Sequence, residues 1–240
     1  MMRILGHRGA SADFPENTLE AFRGALAQGA DGVELDVMRC GSGELVVCHD
    51  EWLTRLSGLR WEVARTPWWK LSRADVGSRL GFPSARIPLL DEVFAQLPKD
   101  AVVNVELKCE TVDDGGLSVE VGRFLETGGH APRAFVSSFN PLCLVRLARA
   151  FPTIRRGLLI DPDKAWLPQV AWLPVAAKTS IHPHASAVTE ARMRDWRARG
   201  YEVAVWTVDD VAEARRLEAL GVDWLITNRP LALRRALGRS

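Results

Sequence analysis

A (β/α)8 barrel of the TIM type, in the α/β class, is the fold this sequence predicts, and three observations predict it. Eight short β-rich segments alternate with amphipathic helical ones, an order that implies a parallel sheet. The 240-residue length falls near the ~250 residues typical of such barrels. No G-x-G-x-x-G follows the first strand, which removes the main sign of an open dinucleotide-binding sheet.

In chain order, residues 3–6 read as a strand and 17–28 as a helix, with Asn17 and Glu20 spaced as a capping box at its start. The remaining strands are expected at 32–38, 102–108, 134–138, 157–160, 178–182, 202–207 and 224–227. Helical stretches fall at 89–96, 117–126, 141–150, 189–199, 211–220 and 230–237. Residues 44–48 read as a short extra strand, and 50–87 is too long for a βα loop. We therefore expect a single barrel domain over 1–240 with a small insertion at about 50–87, after the second strand. The insertion's Trp52, Trp61, Trp68 and Trp69 are expected to form a satellite core beneath a long loop, the alternative being the wall of a substrate pocket.

Composition narrows the function. With 31 Lys+Arg against 30 Asp+Glu the net charge is +1, so no broad basic field is available for nucleic acid or an anionic membrane. A hydrophobic fraction of 47% with 25% charged residues is that of an ordinary globular chain. No apolar run approaches the ~18 residues of a membrane span, and Met1 leads into Ile4-Leu5-Gly6 without a basic-then-apolar leader. Cys40, Cys48, Cys109 and Cys143 lie far apart with no C-x-x-C pair, which fits free thiols in a reducing compartment. The expectation is a cytoplasmic protein with no stable membrane insertion, its oligomeric state left open.

The chemistry begins in Val33-Glu34-Leu35-Asp36-Val37. Period-two alternation sends the three apolar residues to one face and both carboxylates to the other. In a barrel the apolar face packs on the helices, so Glu34 and Asp36 point to the interior or its mouth. Val103-Asn104-Val105-Glu106-Leu107-Lys108 repeats the arrangement and adds Glu106. Three carboxylates without an accompanying cysteine make a hard oxygen-donor set of the kind that takes one divalent cation, Mg²⁺, Ca²⁺ or Mn²⁺. The competing reading is an internal ion-pair network neutralised by Arg8 and Lys108. His7 and His49 end short apolar runs, where barrel enzymes keep catalytic groups, and a histidine pair can serve as general acid and general base. Arg8 and Lys108 supply positive charge suited, with a divalent ion, to a phosphate ester. Lys108 could alternatively form a Schiff base, though Glu106 on the same face favours its charged form. His130, after Gly128-Gly129, reads as a solvated loop residue, and His182 as a residue that could line the pocket without a catalytic role.

These residues also carry a resemblance. His7-Arg8-Gly9, Pro15-Glu16-Asn17-Thr18, Glu34-Leu35-Asp36 and His49-Asp50 resemble the N-terminal signature of the glycerophosphodiester phosphodiesterase family. Leu53-Thr54-Arg55 to Gly58, Ile87-Pro88-Leu89-Leu90-Asp91-Glu92, Asn104-Val105-Glu106-Leu107-Lys108, Ser138-Phe139, Trp206-Thr207-Val208 and Thr227-Asn228-Arg229-Pro230 are similar to its later blocks, in family order. The resemblance implies a (β/α)8 barrel that uses a divalent cation to hydrolyse glycerophosphodiesters to sn-glycerol 3-phosphate and an alcohol. It implies Glu34, Asp36 and Glu106 as metal ligands, His7 and His49 as the acid–base pair, and Arg8 and Lys108 on the phosphate. Phe139 and Trp206 would form an apolar wall beside the glycerol. Asp209 and Asn228 depart from the family's usual Asn and Asp; a change of charge near the mouth is expected at the first and a turn at the second. Two other readings compete. One is phospholipase D-like or lyase action on lysophospholipids, an internal hydroxyl giving a cyclic phosphate; the other is a non-catalytic barrel binding phosphorylated ligands.

Overall fold

The computed structural model describes residues 1–177 and 179–238. Eight strands close a parallel barrel: β1 (Arg3–His7), β2 (Gly32–Arg39), β4 (Val102–Leu107), β5 (Ala134–Ser138), β6 (Arg155–Ile160), β7 (Ser180–Pro183), β8 (Glu202–Val205) and β9 (Trp224–Thr227). Pairing of β1 with both β2 and β9 completes the ring, leaving no open edge. The extra strand β3 (Leu45–Val47) lies antiparallel on β2 as a hairpin. The strand expected from residue 178 begins at Ser180; Lys178 lies outside the described residues.

Helices α1 (Leu19–Ala27), α4 (Leu90–Gln96), α5 (Leu117–Thr127), α6 (Pro141–Ala150), α9 (Glu190–Ala198), α10 (Val211–Ala219) and α11 (Pro230–Ala236) cover the outside, each within a few residues of the sequence expectation. In place of a crossover helix after β6 stand two short ones, α7 (Trp166–Val170) and α8 (Leu173–Ala176), which the sequence reading did not anticipate. Pro168 and Pro174 argue against helix locally. Both, however, sit in a first turn, where the missing N–H has no intrahelical partner to lose. The capping-box expectation at α1 is corrected: Thr18 is the cap, its hydroxyl accepting from the Ala21 N–H at 3.2 Å, and Asn17 is freed for another role.

The alternation read from the sequence sorts the core into two layers. Val33, Leu35, Val37, Val103, Val105 and Leu107 face the helices and pack with Phe22, Leu90 and Val93. Inside the barrel floor, Leu5, Phe135, Ala204, Trp224 and Ile226 form a smaller apolar plug. Above that plug the interior turns polar. Between β3 and α4 lie the four-residue helices α2 (Thr54–Ser57) and α3 (Trp68–Leu71), whose satellite core includes Leu53, Leu56, Val63, Leu71 and Ile87. Trp61 and Trp68 pack on it as expected, whereas Trp52 and Trp69 are exposed. Trp52 instead lines a groove that opens beside His49.

Candidate active site

Strand register assembles the acidic centre. His7 is the partner of Glu34 across β1–β2, Glu34 of Asn104 and Asp36 of Glu106 across β2–β4. Oxygens of Glu34, Asp36 and Glu106 all lie within 4.8 Å of one another. His7 ends β1 and Glu106 stands one residue from the end of β4, and the register holds Glu34 and Asp36 beside them, at the face where barrels of this kind place their chemistry. A cavity of about 230 Å³ opens there, lined by His7, Arg8, Glu34, His49, Glu106 and Lys108 on the polar side. Phe139, Leu159, Trp206 and Ile226 form its apolar side, with Phe139 meeting Trp206 edge-on at 5.4 Å between ring centroids. Asp36, 1% exposed, stands behind this lining rather than in it.

Charge within the cluster is only partly balanced. Arg8 Nε pairs with Asp36 Oδ2 at 3.2 Å, and Lys108 Nζ lies 3.0 Å from Glu106 Oε1 and 3.9 Å from Asp36 Oδ1. The ion-pair network considered from sequence is therefore present, yet it leaves three acids to two cations. Burial opposes ionisation of Asp36, but Arg8 and then Lys108 outweigh it and hold that carboxyl below its usual range. Glu34 is pushed up to about 8, first by burial and then by the Asp36 charge. Glu106 is pushed up to about 7 for the same two reasons. The Arg8 N–H donates to Glu34 Oε2 at 3.0 Å, but buried Oε1 has no hydrogen-bond partner among the described residues. An orphaned, buried carboxylate oxygen facing two further carboxylates fits a hard divalent cation.

The loop after β1 sets Arg8. Arg8 itself has φ 54°, uncommon for a side-chain-bearing residue, and Gly9 at φ 85° passes so close to α1 that a Cβ there would lie 2.4 Å from the Ala21 carbonyl carbon. This tight turn brings Arg8 Nη1 to Glu16 at 2.9 Å. Asn17, also at positive φ, donates from Nδ2 to Asp36 Oδ2 at 2.8 Å and accepts from the Asp36 N–H. Asn17 thus braces an acid of the centre, a role that local capping rules had hidden.

The two histidines differ in their surroundings. His7 bonds through Nδ1 to Asn228 Oδ1 at 2.7 Å, and its Nε2 is 4.0 Å from Glu34 Oε2. Burial, then the Arg8 charge, holds His7 below the ordinary histidine range. His49 bonds through Nδ1 to Asp50 Oδ1 at 2.8 Å. Asp50 and Glu16 are bridged in turn by Arg55, at 2.7 Å to each. A second oxygen and nitrogen cluster, Glu16, His49 and Asp50, therefore already has its cation in the Arg55 guanidinium. Asn104, beside Glu106 on the same strand, accepts from the Ser137 hydroxyl at 2.9 Å.

Four further expectations change. Asn228 does more than form a turn, because it touches His7, and Asp209 holds Asn228 rather than acting only as a charge near the mouth. His182 is fully buried inside the barrel, bonded to Ser180 Oγ at 3.0 Å and pushed down to about 3 by burial, so it does not line the cavity. Gly157 makes room for that imidazole: a Cβ there would lie 2.2 Å from His182 Nε2. His130 is not simply solvated, as its ring stacks at 4.6 Å from Phe94 and 5.2 Å from Phe124.

A parallel barrel whose C-terminal mouth gathers carboxylates, two cations and two imidazoles has the make-up of a barrel enzyme's site. The family model of the glycerophosphoryl diester phosphodiesterase family matches residues 7–232. A glycerophosphodiester phosphodiesterase of Caldanaerobacter subterraneus subsp. tengcongensis is 32% identical over 238 residues, covering 96% of this chain and 95% of its own. The solved structure of an Oleispira antarctica phosphodiesterase in complex with the product sn-glycerol-3-phosphate superposes with a TM-score of 0.84 at 30% identity, covering 98% of this chain and 96% of the other. That of a glycerophosphodiester phosphodiesterase from Thermotoga maritima does so with a TM-score of 0.79 at 29% identity, covering 98% of each. The chain belongs to the glycerophosphoryl diester phosphodiesterase family and is an enzyme of that class.

Proposed function

We propose that this chain is a metal-dependent phosphodiesterase that hydrolyses glycerophosphodiesters to sn-glycerol 3-phosphate and an alcohol, using His7 and His49 as its acid–base pair. The observation that carries the reading is the convergence of both imidazoles, the paired acids and two cations on one cavity. Glu34, Asp36 and Glu106 would hold a single Mg²⁺, Ca²⁺ or Mn²⁺, which when bound would neutralise charge on the phosphate oxygens. Arg8 and Lys108 contact the phosphate, and Phe139 and Trp206 flank the glycerol carbons. Water attacks phosphorus, forming one P–O bond and breaking the bond to the departing alcohol oxygen. One histidine accepts the water's proton while the other returns a proton to the alkoxide. We also take residues 1–240 as one barrel domain carrying a small insertion at about 50–87. The free thiols, three of them buried, support a cytoplasmic location. No described helix is long and apolar enough to cross a membrane, and the proposed partner is a small-molecule substrate.

One observation favours a second reading. Past Phe139 and Leu159 the cavity borders a trough of about 260 Å³ lined by Pro141, Leu158, Pro168 and Trp172, which suits an acyl chain and hence a lysophospholipid. Phosphorus NMR of early products tests both. Hydrolysis of glycerophosphodiesters predicts glycerol 3-phosphate as the first phosphorus product, whereas a cyclic phosphate formed first, from a lysophospholipid, would replace the leading reading with the second. Turnover of neither substrate would overturn both readings.

A further inference from the structure

Asn228 and Asp209 are joined by bonds whose polarity can be read without ambiguity. Asp209 follows β8, and as a carboxylate it can only accept. Its Oδ1 receives the Thr227 hydroxyl and the Asn228 backbone N–H, both at 2.8 Å. Its Oδ2 receives the Asn228 side-chain amide at 2.6 Å. Asn228 Nδ2 is thereby committed to Asp209, and Oδ1 must face the other way. There it meets Ser11 Oγ and His7 Nδ1, each at 2.7 Å. An amide oxygen has no proton to give, so the proton in the last bond belongs to His7 Nδ1. The other ring nitrogen, Nε2, keeps its lone pair; it lies 4.0 Å from Glu34 Oε2, and His7 and Glu34 both line the cavity.

We propose that Asn228, clamped by Asp209, is a positioning residue that holds His7 as the Nδ1–H tautomer and so makes it the proton acceptor of the pair. The proposal rests on the reading of His7 as one of two proton-transfer groups, and it assigns that group its resting state. The arrangement is directional: reversing the amide of Asn228 would present an N–H to His7, force the proton onto Nε2 and remove the acceptor. Asp209→Asn should cause this reversal. Residue 209 must still accept from the Asn228 backbone N–H, so its new amide group would face the Asn228 side chain and turn it over. The reciprocal double variant, Asp209→Asn with Asn228→Asp, restores an acceptor beside His7 Nδ1 and a donor between residues 209 and 228.

The test is a long-range proton–nitrogen NMR correlation on histidine-labelled protein at about pH 8, above the ordinary histidine range of about 6.5. His7 is assigned by its loss in His7→Ala, and steady-state kinetics are run alongside. We expect wild type to show a protonated Nδ1 and a bare Nε2. Asp209→Asn should invert the tautomer and lower kcat by about 10- to 100-fold with KM changed less than about threefold. The double variant should recover the tautomer and return kcat to within about threefold of wild type. It also guards against misfolding, since a purely structural lesion at 209 would not be repaired by adding a carboxylate at 228. The proposal is overturned by an Nε2–H tautomer in wild type, by an unchanged tautomer in Asp209→Asn, or by a double variant no better than the single. Wild type with the Nδ1–H tautomer but no release of glycerol 3-phosphate would leave the positioning intact and overturn the functional reading instead.

Discussion

Replacing Glu34 by glutamine should make the cation-free protein more stable while destroying its response to cations. Glu34 is buried beside Asp36 and Glu106, with one oxygen unpartnered. Its carboxyl is displaced upward from 4.5 to about 8, so its ionisation is harder in the folded chain than in the unfolded one. The sign follows: below pH 4.5 the group costs nothing, and as pH climbs toward 8 the folded state loses stability at up to about 1.4 kcal/mol per unit. Because Arg8 and Lys108 respond to the same change, about 2 kcal/mol is a conservative sum at pH 8. Glutamine keeps an acceptor for the Arg8 N–H and offers its amide to the neighbouring carboxylates, so most of that loss should be recovered. For a chain of this size the gain is a rise in Tm of about 4–8 °C. Calorimetry in EDTA at pH 8 reads it directly, and at pH 5 the difference should nearly vanish. Adding Mg²⁺ or Ca²⁺ to about 100 times Kd should stabilise wild type by about 2.7 kcal/mol and the variant by far less. A variant that melts below wild type in EDTA at pH 8 would refute the reasoning, since the orphaned carboxylate would then not be a source of strain.

Other perturbations separate the remaining parts. His7→Ala and His49→Ala should each lower kcat by about 10²- to 10⁴-fold in a glycerol 3-phosphate release assay, with little change in Tm. His182, held neutral with a value near 3, gives the fold stability that is complete above its unfolded value of 6.5 and is lost as pH falls toward 3. The unfolding free energy of wild type should therefore fall across that window by up to about 1.4 kcal/mol per pH unit more steeply than that of His182→Gln, as urea titrations at several pH values would show. Trp206→Ala should raise KM for glycerophosphodiesters more than it lowers kcat, because Trp206 forms apolar wall and its indole N–H is already committed to the His182 carbonyl at 2.8 Å.

What could be read from the sequence was what strand geometry dictates. Glu34, Asp36 and Glu106 alternate with valine and leucine, and a barrel strand has one inside and one outside, so their convergence followed from pattern alone. His7 and His49 could be placed at the mouth because each ends an apolar run. Residues that act from irregular backbone were not legible in the same way. Asn17 has the residue type and spacing of a helix cap, but its positive φ turns the side chain to Asp36, and the neighbouring threonine caps instead. Asn228 and Asp209 lie 19 residues apart and meet only because β8 and β9 are adjacent strands, so no local rule could pair them with His7. Arg55 likewise joins Glu16 and Asp50 across the insertion. The insertion's tryptophans resisted assignment because aromatic character serves a satellite core and an exposed groove wall equally well, and only burial divides Trp61 and Trp68 from Trp52.

The most direct test of the central claim is glycerol 3-phosphate release from a panel of glycerophosphodiesters, with and without EDTA, by wild type, Glu34→Ala and His49→Ala. Wild type should turn over with divalent cation, and chelator and each substitution should abolish that release. Release that survived all three would contradict the claim, because the acids and imidazoles at this barrel mouth would then not be the machinery of hydrolysis.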